Sequence, residues 1–312
     1  MNKSLILTFH NVLNRSWFEK VITYLKSNYR LVDSECLEMA FPNKVVMKNL
    51  CHITFDDGEK SFYNIAFPIL KKYHVPATIF VSPSIITSGD NFWFQEVSDY
   101  NEKIIKRILS EELNIQIEII RNINHLNVFK CLPISEIHRI ISIYRAETKS
   151  QKRFSQNMSL TETIEVQESG LVTIGAHTLN HPILSNETDD ISYHEITNSI
   201  KMLQELLGIN IKHFAYPNGI PDLDFSKREI IYLQKNYISM AFSSESKFMT
   251  TSDDIYSLPR IGLTYGNMTF IKLKLLMGDK WESIKSIKNS TEVKNRKLIL
   301  LQLSEKKLTS AN

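Results

Sequence analysis

Cysteine is scarce in this sequence, and the residues present form no pattern. The 312-residue chain contains Cys36, Cys51 and Cys131, which are widely spaced and lie outside any CxxC motif. An odd number of isolated cysteines does not make a disulfide framework. It indicates reduced side chains in a reducing compartment.

Long apolar runs are also lacking. The run Leu5–Phe9 follows a single lysine, and His10 and Asn11 interrupt it before the h-region of a signal peptide could form. No window approaches the ~20 apolar residues of a membrane span. We therefore expect a cytoplasmic protein.

A strong charge of either sign is the third absence. The 37 basic and 34 acidic residues leave a net charge of +3, which argues against a dedicated nucleic-acid partner. Apolar residues make up 43% of the chain and charged residues 23%, as in an ordinary soluble globular protein. The length allows one large α/β domain or two small ones.

Short β-type runs alternate with helical stretches along the chain. The strand candidates are Leu5–Phe9, Cys51–Phe55, Ala77–Val81, Leu171–Ala176, His213–Tyr216 and Ile238–Phe242. The helix candidates are Ser16–Tyr29, Ser61–Tyr73, Ser192–Leu207 and Ser226–Lys235. Such alternation predicts parallel strands with crossover helices, in either a barrel or an open doubly wound sheet.

The positions of the polar motifs favour the barrel. His10, Asp56, Asp57, His177 and Tyr216 each lie where a strand candidate ends. In a (β/α) barrel the C-terminal strand ends converge on one face, whereas an open sheet gathers only groups that flank its switch point. We predict an α/β fold, a distorted TIM-like (β/α) barrel of about seven strands.

Two segments depart from this alternation. We predict that residues 1–267 form the barrel and that residues from about 90 to 165 are a helical insertion in it. The insertion either contacts substrate over the catalytic face or only shields the top of the barrel. Residues 268–312 predict a basic, helical C-terminal extension. This tail packs on the barrel flank, remains solvated, or forms a peripheral contact with an anionic membrane.

The sequence Asp56-Asp57-Gly58 places two carboxylates at one strand end. Successive side chains of a strand point in opposite directions, so one aspartate can ligate a metal while the other accepts a proton. Gly58 permits the tight turn that this corner needs. Taken alone, the motif is more typical of an ordinary turn.

His177 and His181 make a metal site the stronger interpretation. Four residues apart in a helix or turn, the imidazoles fall on one side of the chain, although an isolated pair with this spacing is often just exposed. Two histidines and one carboxylate leave a coordination position for water on a divalent ion, most typically Zn²⁺.

These motifs resemble those of the polysaccharide deacetylases with the nodulation-factor deacetylase homology domain, carbohydrate esterase family 4. The resemblance runs from about residue 3 to 265, through four ordered motifs at Thr54–Gly58, Pro68–Val81, Gly175–Pro182 and Phe214–Gly219. It implies a distorted (β/α) barrel, a divalent metal that is usually zinc, and removal of an N- or O-acyl group from a sugar.

Carried over by position, the resemblance implies a role for each motif residue. Asp56 corresponds to the catalytic base, and Asp57, His177 and His181 correspond to the metal ligands. This division agrees with the chemistry, because a metal activates water and polarises a carbonyl while a separate carboxylate takes the proton.

The motif Phe214–Gly219 implies the oxyanion site and contains one departure from the family pattern. The backbone N–H of Tyr216 corresponds to the oxyanion donor, and Pro217 stiffens its loop. The family's usual arginine, which steadies the catalytic aspartate, is replaced here by Ala215. Arg260 follows another β-type run, Ile255–Leu258, and is the expected substitute.

A second departure concerns the general acid. The late Leu-x-His motif of the family is missing, since no histidine follows His213. His10 ends the first strand and resembles the early Tyr/Phe-His motif of one branch, which includes biofilm-polysaccharide deacetylases with permuted barrel elements. Opposite Asp56, it would protonate the departing amine; otherwise it is a structural histidine at a strand end.

The sequence therefore predicts a metal-dependent hydrolase that removes an N-acetyl group from an amino sugar. The expected substrate is an oligosaccharide, nucleotide-linked or lipid-linked intermediate of surface-polysaccharide synthesis. The alternatives are a deformylase or cyclic-amide hydrolase with the same metal chemistry, or a non-catalytic carbohydrate-binding descendant. The presence of the base, the three ligands and the oxyanion loop argues against the last.

Overall fold

A computed structural model describes residues 3–41, 48–278 and 291–305 of the chain. Parallel strands alternate with helices, as the sequence predicts. The strands are β1 (Leu5–Phe9), β2 (Arg30–Leu31), β3 (Leu50–Phe55), β4 (Ala77–Val81), β5 (Val172–Ala176), β6 (His213–Ala215), β7 (Met240–Phe242) and β8 (Ile261–Gly262).

The strands form one curled parallel sheet in the order β7-β6-β5-β4-β3-β1-β8, with β2 paired to β3 beside this path. One stretch of chain joins its two edges. Leu258 forms a parallel bridge with Phe242, the last residue of β7. Three residues later, Ile261 in β8 pairs with Leu7 in β1. The predicted distorted (β/α) barrel of about seven strands is confirmed.

Helices lie between successive strands and after the last strand. They are α1 (Arg15–Asn28), α2 (Ser34–Ala40), α3 (Phe67–Tyr73), α4 (Pro83–Ser88), α5 (Trp93–Val97), α6 (Glu102–Glu112), α7 (Ile117–Ile120), α8 (His125–Phe129), α9 (Ile134–Thr148), α10 (Leu160–Glu168), α11 (Asp189–Leu207), α12 (Lys227–Lys235) and α13 (Met268–Met277). A π-helical turn, Phe62–Ala66, precedes α3, and a 3₁₀ turn, Leu184–Asn186, precedes α11. Residues 291–305 are also helical.

The core follows from the apolar pattern of these elements. Every residue of β1, β3 and β4 is buried, as expected for strands covered on both faces. Helix α11 buries Ile196, Ile200 and Leu203, the face with helical spacing. It ends at Gly208, whose φ of +65° is the left-handed conformation of a helix C-cap.

The β-type run Ile255–Leu258 is not a strand. The N–H of Ser257 donates to the carbonyl of Asp254 at 2.9 Å and closes a turn. The run therefore meets β7 only at its two ends, where the Ile255 carbonyl accepts the Ala241 N–H at 2.9 Å and Leu258 bridges Phe242. The strand lies slightly later, at β8. The prediction was wrong here because Asp254 and Ser257 favour a turn over an extended backbone.

The chain divides into two compact units. One contains Met1–Asp90 and Gln156–Glu282, with the sheet; the other contains Asn91–Ser155 and Ser283–Asn312. In the second unit, Phe92 and Trp93 are buried, and the Phe92 ring stacks on Phe94 at 5.3 Å. Phe92 and Trp93 thus belong to the hydrophobic interior of the structure, not to its exposed surface.

The described part of the C-terminal tail includes a helical segment that packs in the second unit. Within 291–305, Ile299 is fully buried and Glu292 accepts a hydrogen bond from Lys130 Nζ at 2.8 Å. Tail residues 279–290 and 306–312 lie outside the described residues. Across 3–41, 48–278 and 291–305, helices that are both long and apolar enough to cross a bilayer are absent.

Candidate metal centre and active site

The site is built at the carboxyl ends of the parallel strands. His10 follows β1, Asp56 and Asp57 follow β3, His177 follows β5, and Tyr216 follows β6, each directly. Because all these strands are parallel, their C-terminal ends share one face of the barrel. The fold thus brings together groups that are far apart in sequence.

Three of these side chains form a compact donor set. Asp57, His177 and His181 are buried, and one ligand atom from each lies within 4.8 Å of the others. Asp57 Oδ1 is 3.4 Å from His177 Nε2 and 3.4 Å from His181 Nε2. Two imidazoles and one carboxylate match the donor set that holds a catalytic divalent ion.

The two histidines meet through a turn. Thr178 and His181 both adopt left-handed backbone conformations, with φ of +62° and +58°. The N–H of His181 donates to Thr178 Oγ1 at 3.0 Å, which closes the turn. Of the two conformations compatible with the four-residue spacing, the turn is the observed one.

The hydrogen bonds of His177 fix its tautomer. Its Nδ1 donates to the carbonyl oxygen of Ala215 at 2.7 Å, which leaves the Nε2 lone pair facing Asp57. Such a contact orients a metal-ligating imidazole. Ala215, which stands where the family usually has an arginine, is buried, and its backbone carbonyl orients the candidate ligand His177.

The protonation states of the donor set are strongly coupled. Burial lowers the pKa of His177, but the adjacent carboxylates of Asp57 and Asp56 outweigh it, so the pKa is raised. Burial and the neighbouring His177 lower the pKa of His181 to about 3. Burial opposes ionisation of Asp57, yet the two histidines hold its pKa below the ordinary value. The ionised Asp57 and the neutral His181 fit a cation, and binding of a cation would also displace the proton that the raised pKa favours on His177.

Asp57 gives the clearest test of that fit. Its backbone has φ of +69°, and its Oδ1 is buried. Among the described residues, none donates a hydrogen bond to this oxygen. A buried carboxylate oxygen without a donor is costly, and a divalent ion between it and the imidazoles would satisfy it.

Arg260 holds Asp56 through a bidentate ion pair. Its Nη1 donates to Asp56 Oδ1 at 2.7 Å and its Nη2 to Asp56 Oδ2 at 2.8 Å, with both side chains buried. Burial alone would raise the pKa of Asp56, but Arg260 outweighs it and the pKa is lowered. Asp56 is therefore an ionised carboxylate near neutral pH.

The guanidinium of Arg260 is itself fixed on three sides. Its Nε donates to the Ser243 carbonyl at 2.9 Å, and the group lies over the rings of Phe80 and Phe242 at 5.7 and 6.0 Å. The arginine thus reaches Asp56 from the segment just before β8 and not from the motif Phe214–Gly219, as the sequence interpretation requires.

His10 lies beside Asp56 at the open side of the site. Its Nε2 is 3.9 Å from Asp56 Oδ2, and its side chain is 58% exposed. A histidine buried by structural hydrogen bonds looks different: His52 is buried and bonds Val32 O at 2.8 Å and Thr78 Oγ1 at 3.0 Å. His10 is thus accessible to a substrate.

The backbone N–H of Tyr216, the predicted oxyanion donor, has a hydrogen-bond partner within the sheet. This N–H donates to the carbonyl of Phe242 at 3.2 Å, because the pairing of β6 with β7 continues by one residue. The Tyr216 ring stacks on Phe225 at 3.6 Å. Pro217 follows, and its carbonyl accepts the N–H of Gly219 at 2.6 Å. The predicted oxyanion donor is thus already engaged within the sheet.

Two buried carboxylates near the site were not predicted. Glu195 of α11 accepts hydrogen bonds from the N–H groups of Leu179 and Asn180 at 3.0 and 2.9 Å. Asp224 accepts from Ile220 N at 2.8 Å and so supports the loop after β6. The only sequence signal for Glu195 is a charged residue next to Ile196 on the apolar side of an amphipathic helix.

Comparison with known proteins gives a consistent result. The family model for polysaccharide deacetylase matches residues 43–130 and 142–234, more than half of the chain. The poly-β-1,6-N-acetyl-D-glucosamine N-deacetylase of Staphylococcus epidermidis is 24% identical over 217 residues, covering 67% of this chain and 53% of that protein. The protein of the same name in Staphylococcus aureus is 26% identical over 158 residues, covering 46% and 50%.

Solved structures share the fold. IcaB from Ammonifex degensii superposes with a TM-score of 0.58 at 21% identity, covering 85% of this chain and 93% of that one. The Streptococcus pyogenes deacetylase PplD in complex with acetate gives 0.56 at 19% identity, covering 84% and 92%. The chain spans about half the length of the curated relatives it matches. On the extent of the family match, this chain belongs to the polysaccharide deacetylase family.

Proposed function

We propose that this chain is a metal-dependent hydrolase that removes N-acetyl groups from amino-sugar units of a surface polysaccharide or its precursor. One observation carries the proposal. Asp56, whose carboxylate is kept ionised by Arg260, is the neighbour in sequence of Asp57, which supplies the carboxylate of the Asp57–His177–His181 donor set. The relatives named as poly-β-1,6-N-acetyl-D-glucosamine N-deacetylases support a substrate rich in N-acetylglucosamine.

The donor set is proposed to hold a single divalent ion, with Zn²⁺ preferred by its two imidazoles. When bound, the ion supplies Lewis-acid chemistry that polarises the acetyl carbonyl and promotes deprotonation of water. His177 is already oriented for this role by its bond to the Ala215 carbonyl. The role of Asp57, His177 and His181 is to fix the ion beside Asp56.

Asp56 is proposed to be the general base. Its carboxylate accepts a proton from water as the water oxygen adds to the acetyl carbon. Arg260 uses its two-pronged contact to hold the carboxylate in one orientation and in its ionised form. A base held in this way contributes through both geometry and protonation state.

His10 is proposed to be the general acid. The tetrahedral adduct collapses when the carbon–nitrogen bond breaks, and the departing amine needs a proton because an amide anion is a poor leaving group. The His10 side chain is 58% exposed and its Nε2 is 3.9 Å from Asp56 Oδ2, so a group bound beside this pair can contact both side chains. The products are acetate and a free amino sugar. Because its N–H is engaged by Phe242, Tyr216 has no part in this mechanism.

Product analysis tests the proposal. Protein loaded with Zn²⁺ is incubated with N-acetylglucosamine oligosaccharides and with nucleotide-linked N-acetylglucosamine, and acetate and free amine are measured. We expect equal amounts of both products, and none from the Asp56→Asn variant. Formate or a ring-opened acid from matched N-formyl or cyclic-amide substrates, without acetate, would indicate the alternative hydrolases. Sugar binding without turnover would indicate a carbohydrate-binding protein.

A further inference from the structure

The turn that carries both histidines is supported by a carboxylate from another element. Glu195 Oε2 accepts the N–H groups of Leu179 and Asn180 at 3.0 and 2.9 Å, and its Oε1 accepts the Asn180 side-chain amide at 2.7 Å. Glu195 is 3% exposed, so these contacts are formed away from bulk water. Hydrogen bonds to a buried charged acceptor are among the strong ones.

The turn needs support of this kind. Thr178 and His181 lie on either side of Leu179 and Asn180. Both have positive φ, a conformation that is unfavourable for non-glycine residues. Such conformations persist when surrounding contacts over-determine them. Two successive N–H groups directed at one oxygen form a small anion-binding concavity, and the chain fills it with its own carboxylate.

We infer that Glu195 is a positioning residue for the metal centre, and that its contacts with Leu179 and Asn180 set the spacing of His177 and His181. The inference rests on the metal site of the proposed function. Glu195 does not contact the donor atoms. It acts through the turn backbone, so its removal changes the affinity for the ion through geometry.

Two substitutions separate the effect of the Glu195 side-chain length from the effect of its charge. Glu195→Gln keeps the length: its oxygen accepts the two backbone N–H groups, and its amide donates to Asn180 once the Asn180 amide is flipped. Glu195→Asp keeps the charge but is one methylene too short to make these contacts. A positioning role therefore predicts near wild-type Zn²⁺ affinity for Glu195→Gln and about 10- to 100-fold weaker binding for Glu195→Asp. A purely electrostatic role predicts the opposite order.

The matched control is Glu229→Asp. Glu229 is also a fully buried glutamate in a helix, and it accepts hydrogen bonds from Ser192 Oγ and Ser226 N, each at 2.8 Å. It supports the start of α12 and contacts none of the three donor residues. We expect this variant to lower the thermal stability of the chelated protein without changing its Zn²⁺ affinity.

A second variant tests the same contact from the turn. Asn180→Asp replaces the donor to Glu195 Oε1 with another carboxylate, so repulsion should open the turn and weaken Zn²⁺ binding. The added negative charge alone would strengthen it. Adding Glu195→Gln restores a donor–acceptor pair and should restore the affinity. This pair gives an answer even if Glu195→Asp does not fold.

The readout is the Zn²⁺ dissociation constant, measured by titrating chelated protein against a metal-binding dye, with circular dichroism to verify folding. Wild-type affinity in both Glu195→Asp and Asn180→Asp would overturn the inference, as would an equal loss in Glu195→Gln and Glu195→Asp. Absence of Zn²⁺ binding by the wild-type protein would instead contradict the metal centre itself.

Discussion

At the scale of single residues, two adjacent aspartates have different partners. Asp56 is held by the guanidinium of Arg260, whereas Asp57 faces His177 and His181. The separation arises in the turn after β3, where Asp57 adopts a left-handed backbone conformation with φ of +69°. One carboxylate is thus available for proton transfer and the other for a cation.

The role proposed for Asp56 predicts a loss of turnover without a loss of metal. Asp56→Asn is nearly isosteric but cannot accept the proton, so kcat should fall by at least about 10²-fold. Elemental analysis should show unchanged Zn²⁺ content. Normal turnover by the metal-loaded variant would show that another group is the base.

Arg260 predicts a change in pH dependence. In the wild-type protein the pKa of Asp56 is lowered, so the stabilisation from the ion pair is present above the unfolded carboxyl pKa of about 3.9 and is lost as the pH falls through the folded value. Arg260→Gln removes the largest contribution that offsets burial, so the Asp56 pKa rises and the acid limb of the kcat/KM profile moves to higher pH.

The same substitution at Arg228 is the control for this profile. Arg228 pairs with Asp189 at 2.8 Å and with Glu229 at 2.6 Å, and it contacts neither Asp56 nor the donor set. Its variant should leave the acid limb in place. An unmoved limb in Arg260→Gln would mean that Asp56 does not govern it.

His10 predicts a dependence on the leaving group. His10→Ala should slow hydrolysis of an amide, whose amine needs a proton, far more than that of an activated ester with the same acyl group. The measurement is the ratio of the two losses in kcat/KM. Equal losses on the two substrates would exclude the acid role.

At the scale of elements, the turn after β3 determines where Asp57 points. Asp57 and Gly58 both have positive φ, +69° and +64°. A Cβ on Gly58 would lie 2.9 Å from Val81 Cγ1, so this position is restricted by close packing as well as by backbone conformation. Only glycine meets both conditions.

Two alanine substitutions should separate these effects. Gly170 has φ of +65°, but a Cβ there would meet no described atom within 4 Å. Gly170→Ala should cost about 1 kcal/mol of unfolding free energy for the left-handed backbone alone. Gly58→Ala should cost more and should also weaken Zn²⁺ binding. Equal losses in urea unfolding would show that Val81 adapts freely.

Most of the strands and helices could be predicted from local patterns, whereas their pairing could not. The β-branched runs end where β1, β3 and β5 end, because burial on both faces demands continuous apolar sequence. The engagement of the Tyr216 N–H depends on the register between β6 and β7, a long-range property. Glu195 was missed for the same reason, since its partners are 15 and 16 residues away.

At the scale of the whole molecule, closure of the barrel brings Arg260 to Asp56, 204 residues away in sequence. The sequence predicted this contact only indirectly. Ala215 replaces the family's usual arginine and carries no charge, so another cationic residue was expected beside Asp56. The two-unit division of the chain was harder to foresee. Residues 291–305 join the unit that contains residues 91–155, and no local pattern marks such a partner.

The metal centre predicts a stability effect. An ion that binds the folded chain and not the unfolded one adds about 2.7 kcal/mol to the unfolding free energy at 100 times its dissociation constant. Adding Zn²⁺ to chelated wild-type protein should therefore raise its Tm. His181→Ala, with two ligands left, should respond little, and an equal rise in both proteins would place the ion elsewhere.

The most direct test of the account is acetate release as a function of added Zn²⁺. Chelated wild-type protein and chelated His181→Ala are titrated with Zn²⁺ in the presence of an N-acetylglucosamine oligosaccharide. We predict that release by the wild type rises from background and saturates near one ion per chain, while the variant stays at background. Undiminished release by the chelated wild type, or equal restoration of the variant, would contradict a catalytic metal centre at Asp57, His177 and His181.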